Sequence, residues 1–184
     1  MRVTTKKFQE HRRALLESAA TLFARLGLEG ASITEITAAV QLTHGGFYKH
    51  FASKDAMFSE AVQFLLQQLS SELSYKRAGD GPGAVVASRT ISDELSGLDG
   101  RCPIAGVAAD VARSDAKTQQ TFAKGLRACL GDADQHNPGS PAWQTAAADL
   151  SMAVGAYMMA KAVKGADPEL ARSILRAARA QALG

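Results

Sequence analysis

The chain has 184 residues, 46% of them apolar and only 6% aromatic, with a net charge of +3. That length can bury one substantial core with a small separate head, and an alanine-rich, aromatic-poor composition favours an all-helical protein. Two cysteines, Cys102 and Cys129, are too few for a disulfide scaffold and lack metal-ligand spacing, and the longest apolar run, residues 152–160, falls short of the ~20 residues that cross a bilayer.

Residues 1–7, MRVTTKK, are basic and polar and read as an arm, with no signal-peptide pattern, so a reducing cytoplasm is the expected compartment. From Phe8 the positions Leu15, Leu16, Ala19, Phe23 and Leu26 mark an amphipathic helix that Gly27 ends as its C′ residue. Its Arg12 and Arg13 are expected to be solvated.

Ser32 precedes Ile33, Ile36, Ala39 and Val40, and Glu35 stands three residues after it, so Ser-x-x-Glu opens a short helix as a capping box. Thr43 is a second N-cap, which joins two brief helices by a few residues in the manner of a helix-turn-helix. The second helix is predicted from His44 to about Phe51. Gly45 and Gly46 lie in its first turn, where each costs up to ~1 kcal/mol relative to alanine but lets backbone amides approach a phosphate. Phe47 and Phe51 face inward, leaving Thr43, His44, Gly46, Tyr48 and Lys49 outward. Such a face suits a DNA groove, with Tyr48 and Lys49 on phosphates and Thr43 and His44 on base edges. The alternative is the solvated side of a small helical hairpin. Charge does not decide the matter, since residues 1–60 carry +2 and the remainder +1.

The ordered run over residues 32–58 resembles the DNA-binding head of the TetR family of bacterial repressors. The residues that carry the resemblance are Thr43, His44, Gly45, Gly46, Phe47, Tyr48, Lys49, His50 and Phe51, followed by Ser53, Lys54, Asp55, Ala56, Met57 and Phe58. His44 and Gly46 depart from that family's usual residues, which leaves the operator sequence open. The resemblance implies an all-α fold: a three-helix head over residues 1–52, joined by a long helix to a ligand-binding and dimerisation body over residues 53–184. It also implies operator contacts from Thr34, Thr43, His44, Gly45, Gly46, Tyr48, Lys49 and Lys54. Lys54 opens a helix capped by Ser53, where a cation opposes the macrodipole unless a phosphate lies nearby.

That helix continues through Met57, Phe58, Ala61, Val62, Leu65, Leu69 and Leu73 as the element linking head to body. KRAGDGPG at 76–83 breaks it, and a further helix carries Val85, Val86, Ile91, Leu95 and Leu98. Asp99 and Gly100 then turn the chain, Cys102 takes an N-cap position and Pro103 the first helical position, ahead of Ile104, Val107, Ala108 and Val111. A thiol at a helix N-terminus beside Arg101 has its thiolate favoured; the alternative is a small buried hydrophobe. Cys129, mid-helix, reads as structural.

Residues 117–130 form a helix with Phe122, Leu126 and Leu130 on one side, a polar loop follows, and residues 142–164 form another that Gly165 ends. Asp167 and Pro168 open the last helix. By resemblance the final two helices pair across a two-fold axis through Ala148, Met152, Gly155, Met159, Val163, Leu170, Ile174 and Ala178. The implied ligand pocket draws on Cys102, Val107, Val111, Phe122, Leu126, Trp143 and Tyr157, whose apolar character points to a hydrophobic or aromatic small molecule.

The function expected is a homodimeric, ligand-responsive repressor whose partners are double-stranded operator DNA and a small-molecule inducer, with no cofactor, metal or membrane. The runner-up is a redox- or electrophile-sensing regulator acting through Cys102. An enzyme is not expected: His11, His44, His50 and His136 form no i, i+4 ligand pair, and no Gly-x-Ser-x-Gly, Walker loop or dinucleotide fingerprint occurs.

Overall fold

The computed structural model describes residues 5–76, 95, 98, 100, 102–130 and 140–183. Among them the chain forms eight helices and no strand, in keeping with its composition. They are α1 (Thr5–Gly30), α2 (Ile33–Ala38), α3 (His44–Phe47), α4 (Lys54–Lys76), α5 (Pro103–Val111), α6 (Ala116–Leu130), α7 (Pro141–Val163) and α8 (Pro168–Leu183). The predicted helix around Val85, Val86 and Ile91, the turn-rich stretches at 77–83 and 131–139, and Arg101 lie outside the described residues. No described helix is long and apolar enough to cross a membrane.

Local chemistry sets the helix starts where the sequence places them. Ser53 Oγ accepts the Ala56 N–H at 3.0 Å, Ser140 Oγ the Trp143 N–H at 3.2 Å, and Asp167 Oδ1 the Leu170 N–H at 2.9 Å. Each satisfies an amide that the first helical turn leaves without a partner. Pro103 and Pro141 begin α5 and α7, where the missing N–H costs nothing. Asp115, ahead of α6, accepts the Thr118 N–H at 2.8 Å, and that bond holds its carboxyl below the usual range.

Two expectations for α1 need correction. Thr5, Lys6 and Lys7, expected in the arm, are already helical, and although Gly27 breaks the helix at φ 74°, a helical turn resumes as far as Gly30. The reason is tertiary: beyond the break the Leu28 N–H donates to Asp110 Oδ2 on α5 at 2.7 Å. Gly27 is required twice over, by its positive φ and because a Cβ there would lie 2.9 Å from that same oxygen.

α4 is the spine. Its buried residues Met57, Phe58, Ala61, Val62, Leu66, Leu69 and Leu73 serve the head at one end and the body at the other. Leu66 takes the place expected of Leu65, which is only half-buried. α4 meets α6 closely at Gly125, where a Cβ would sit 2.6 Å from the Leu66 side chain. The buried side chains of head and body form one continuous cluster from Leu15 to Ala178.

Head and body also meet through α1. Gly106 of α5 lies so near it that a Cβ would come within 2.2 Å of the Ala24 carbonyl oxygen. Lys161 Nζ of α7 donates to the Arg25 carbonyl at 3.0 Å, a cation on carbonyls that the end of a helix leaves unpaired. Because backbone is the obstacle at Gly106, overpacking in the Gly106→Ala variant should cost about 1–3 kcal/mol, enough to outweigh the ~1 kcal/mol or less gained in helix propensity. Chemical denaturation of the two proteins side by side measures the difference.

Candidate nucleic-acid interface

The head builds its outer face from two short capped helices. Ser32 and Glu35 form the predicted capping box: Ser32 Oγ accepts the Glu35 N–H at 3.1 Å, and Glu35 Oε2 accepts the Ser32 N–H at 3.0 Å. The Ser32 hydroxyl also donates to Glu35 Oε2 at 2.7 Å, and these bonds, the hydroxyl's first, keep the Glu35 carboxyl below its ordinary pKa. Thr37, buried at 2% exposure, satisfies its hydroxyl on the Ile33 and Thr34 carbonyls at 2.9 and 3.1 Å. The turn that follows puts Gln41 at φ 56°, a left-handed conformation that side chains with a Cβ disfavour.

Thr43 caps α3 as expected, its Oγ1 accepting the Gly46 N–H at 3.2 Å. The helix itself is shorter than predicted, four residues instead of a run to Phe51. The chain reaches Phe51 through tighter turns in which Lys49 N–H donates to the Gly46 carbonyl and His50 N–H to that of Phe47, at 3.3 and 2.8 Å. Gly45 and Gly46 weaken helix propagation at this point, and bonds to the third residue back are the 3₁₀ kind. Phe47 and Phe51 stay buried and stack at 5.9 Å, so the inward side is as the spacing predicted.

Thr34, Thr43, His44, Gly45, Tyr48 and Lys49 are exposed, and Gly46 and Lys54 are half-buried. Tyr48 is 56% exposed, and its ring stands edge-on to His44 at 5.7 Å. Nothing comes within 4 Å of the position a Gly45 Cβ would take. The predicted surface is therefore contiguous from Thr43 to Lys49, with Thr34 in the first turn of α2 and Lys54 opening α4.

Sequence reasoning missed what lies behind that face. Arg12, expected to be solvated, makes two bonds from Nη2 to the Glu60 carboxylate at 2.8 and 2.7 Å and lies 4.6 Å above the Phe51 ring. Arg13 pairs with Glu17 at 2.8 Å on the exposed side of α1. His50, to which no role was given, stacks on Phe8 at 4.3 Å and meets His11 edge-on at 6.5 Å. Burial first, then the charges of His11, Arg12 and Lys49, push its pKa below the ordinary histidine value. Neither partnership has a local signal, since both join residues about forty or more positions apart.

Residues 15–61 match the family model described as bacterial regulatory proteins, tetR family. Over this head the chain matches the tetR family. The HTH-type transcriptional repressor DhaR of Mycobacterium sp. (strain GP1) is 33% identical over 63 residues, which are 34% of this chain and 32% of DhaR. The chain spans between about a third and just under half the length of the first curated relatives it matches. Similarity of fold extends further. A TetR-family transcriptional regulator from Cytophaga hutchinsonii superposes with a TM-score of 0.71 at 20% identity, covering 100% of this chain and 98% of that one. E. coli NemR in its reduced form gives 0.66 at 19% identity, over 94% and 95%.

In the body, Val107, Val111 and Tyr157 are buried, while Phe122, Leu126 and Trp143 are half-buried. Cys102 caps α5, its Sγ accepting the Ala105 N–H at 3.5 Å, and is 3% exposed. Cys129 Sγ donates to the Leu66 carbonyl at 3.7 Å. A solvent-open cleft of about 510 Å³ lies elsewhere, lined by Leu28, Glu29, Asp55, Phe58, Asp110 and residues 113–115 and 118; none of the pocket residues expected from sequence lines it. On α7 and α8, Ala148, Met159 and Leu170 are exposed, Met152, Gly155, Val163 and Ile174 half-buried, and Ala178 is enclosed by the chain's own core. Met158, not singled out from sequence, is 45% exposed beside them.

Releasing the left-handed strain at Gln41 tests the turn directly. Gln41→Gly should raise stability by about 0.5–1 kcal/mol, the αL penalty of 1–2 kcal/mol less the entropy cost of glycine, read as an increase in Tm.

Proposed function

We propose that this chain is a DNA-binding transcriptional regulator of the repressor type, acting as a homodimer through the Thr43–Lys49 face of its head. The observation that carries the reading is the exposed set of a capping hydroxyl, an imidazole, a glycine, a phenol and an ammonium, with half-buried Gly46 among them, on a tetR-family head. Tyr48, Lys49 and Lys54 hold phosphates, which position the head without reading sequence, while Thr43 and His44 meet base edges and Thr34 supports from α2. Gly45 and Gly46 let the backbone come close to the duplex. The working boundary falls between residues 52 and 53, with α4 belonging to the ligand-binding and dimerisation body.

Two copies are needed because half-sites lie about 34 Å apart or a multiple of it. Exposed Met158, Met159 and Leu170, at 45%, 55% and 47%, with open space at Gly155, support pairing of α7 and α8 with the same helices of a second copy. A small apolar or aromatic inducer held by the body would loosen operator binding, a coupling of typically 1–3 kcal/mol. The route it would take includes α4 and the α5–α1 contact at Gly106 and Asp110, which ties the body to the end of α1. The N-cap position of Cys102 supports a second reading, induction by thiolate chemistry, which its 3% exposure opposes.

The deciding experiment is binding to the DNA upstream of the chain's own gene against a scrambled duplex, at two salt concentrations. Selective binding is expected, weakened by Tyr48→Ala and by Lys49→Ala, the latter lowering the salt slope by about one phosphate contact. Equal affinity for both duplexes that vanishes with salt would overturn the reading. Once an inducer is in hand, Cys102→Ser separates the two mechanisms. Retained induction is expected; its loss with operator binding intact supports covalent sensing instead.

A further inference from the structure

Behind the exposed face, His50 is the joint between the recognition segment and α1. Its ring stacks on Phe8 at 4.3 Å, 29° from parallel, and stands edge-on to His11 at 6.5 Å. Its Nδ1 is sealed from solvent and has no hydrogen-bond partner among the described residues. The charged and titratable groups around it are His11 and Arg12 of α1 and Lys49 of its own segment; Glu60 of α4 already spends both carboxylate oxygens on Arg12. A neutral imidazole fits this seat as a flat, largely apolar ring. An imidazolium would bury an N–H without an acceptor among cations.

We propose that His50 is a positioning residue whose neutral form seats the recognition segment on α1, and that its protonation in mildly acid solution unseats that segment and weakens DNA binding. The consequence for operator binding rests on the function proposed above; the consequence for the head does not. The same surroundings favour the neutral ring, and the pKa of His50 lies below the ordinary 6.5 as a result. The sign follows from linkage: the unfolded chain binds the proton more readily, so stability is complete well above pH 6.5 and is lost as pH falls through 6.5 toward the folded value. The comparison is made against a variant that lacks only His50, so that every other group is common to both proteins.

The test uses the full chain and three readouts. Histidine ring NMR should give His50 a titration midpoint below 6.5, with the Phe8 ring resonances changing over the same range. Thermal unfolding between pH 7.5 and 5.5 should show a larger loss of Tm for the natural chain than for His50→Leu, with His50→Phe as a second neutral replacement that keeps the stack. Affinity for the selected upstream duplex should fall more steeply with acid in the natural chain, by at most tenfold for each unit the midpoint lies below 6.5. A midpoint at or above 6.5, or identical pH profiles for the natural chain and either folded variant, overturns the proposal. Absence of selective DNA binding at pH 7.5 overturns the functional reading alone, leaving the midpoint and the Tm difference to decide the role of His50.

Discussion

Phe23 of α1 meets Phe58 of α4 edge to face at 5.2 Å, with neither ring exposed beyond 1%, and this contact fixes the helix from which the rest is hung. Burial of two such rings contributes about 1.5–3 kcal/mol each before any specific geometry is counted. On one side α1 carries the head, through Arg12 to Glu60 and through the Ser18 hydroxyl, which donates to the Ile36 carbonyl at 3.2 Å. On the other it carries the body, through Gly106, Asp110 and Lys161. α5 therefore touches the end of α1 directly, and among the described residues the body meets the head through α1 as well as through α4.

The surface divides by chemistry in a way that matches the proposed roles. The head presents rings with polar tips and a lysine, side chains that bind phosphate and base edges while remaining comfortable in water. The far end of α7 and the start of α8 present methionine and leucine, which gain by being covered. Asp110 is held on both sides between these regions: its two oxygens accept from the Leu28 amide and from Arg113, both at 2.7 Å, and its side chain is 13% exposed.

Much of the framework was legible because it rests on local chemistry. Capping is a contact between residues three apart, so Ser32 with Glu35, Thr43 with Gly46 and Asp167 with Leu170 could be read directly from spacing, and helical periodicity located Phe23, Phe47, Phe51 and Val107 in the core. The candidate face at Thr43–Lys49 was legible for the same reason: once Phe47 and Phe51 point inward, the pitch of the chain decides what points out. The length of α3 was not, because two glycines, each costing up to ~1 kcal/mol in continued helix, and a set of third-neighbour bonds compete with it.

The sequence by itself determined the helical class, the capped helix starts, the inward aromatic pair and the outward polar set of the head, since each depends on neighbours within one or two turns. Tertiary structure alone decided that Arg12 is tied to Glu60, that His50 is stacked on Phe8, that Gly27 and Gly106 are obligatory and that α1 resumes beyond its break. Those facts depend on which surfaces meet across tens of residues. No local spacing encodes the distance from an Ala24 carbonyl to a glycine on α5; only the packed arrangement of the helices sets it.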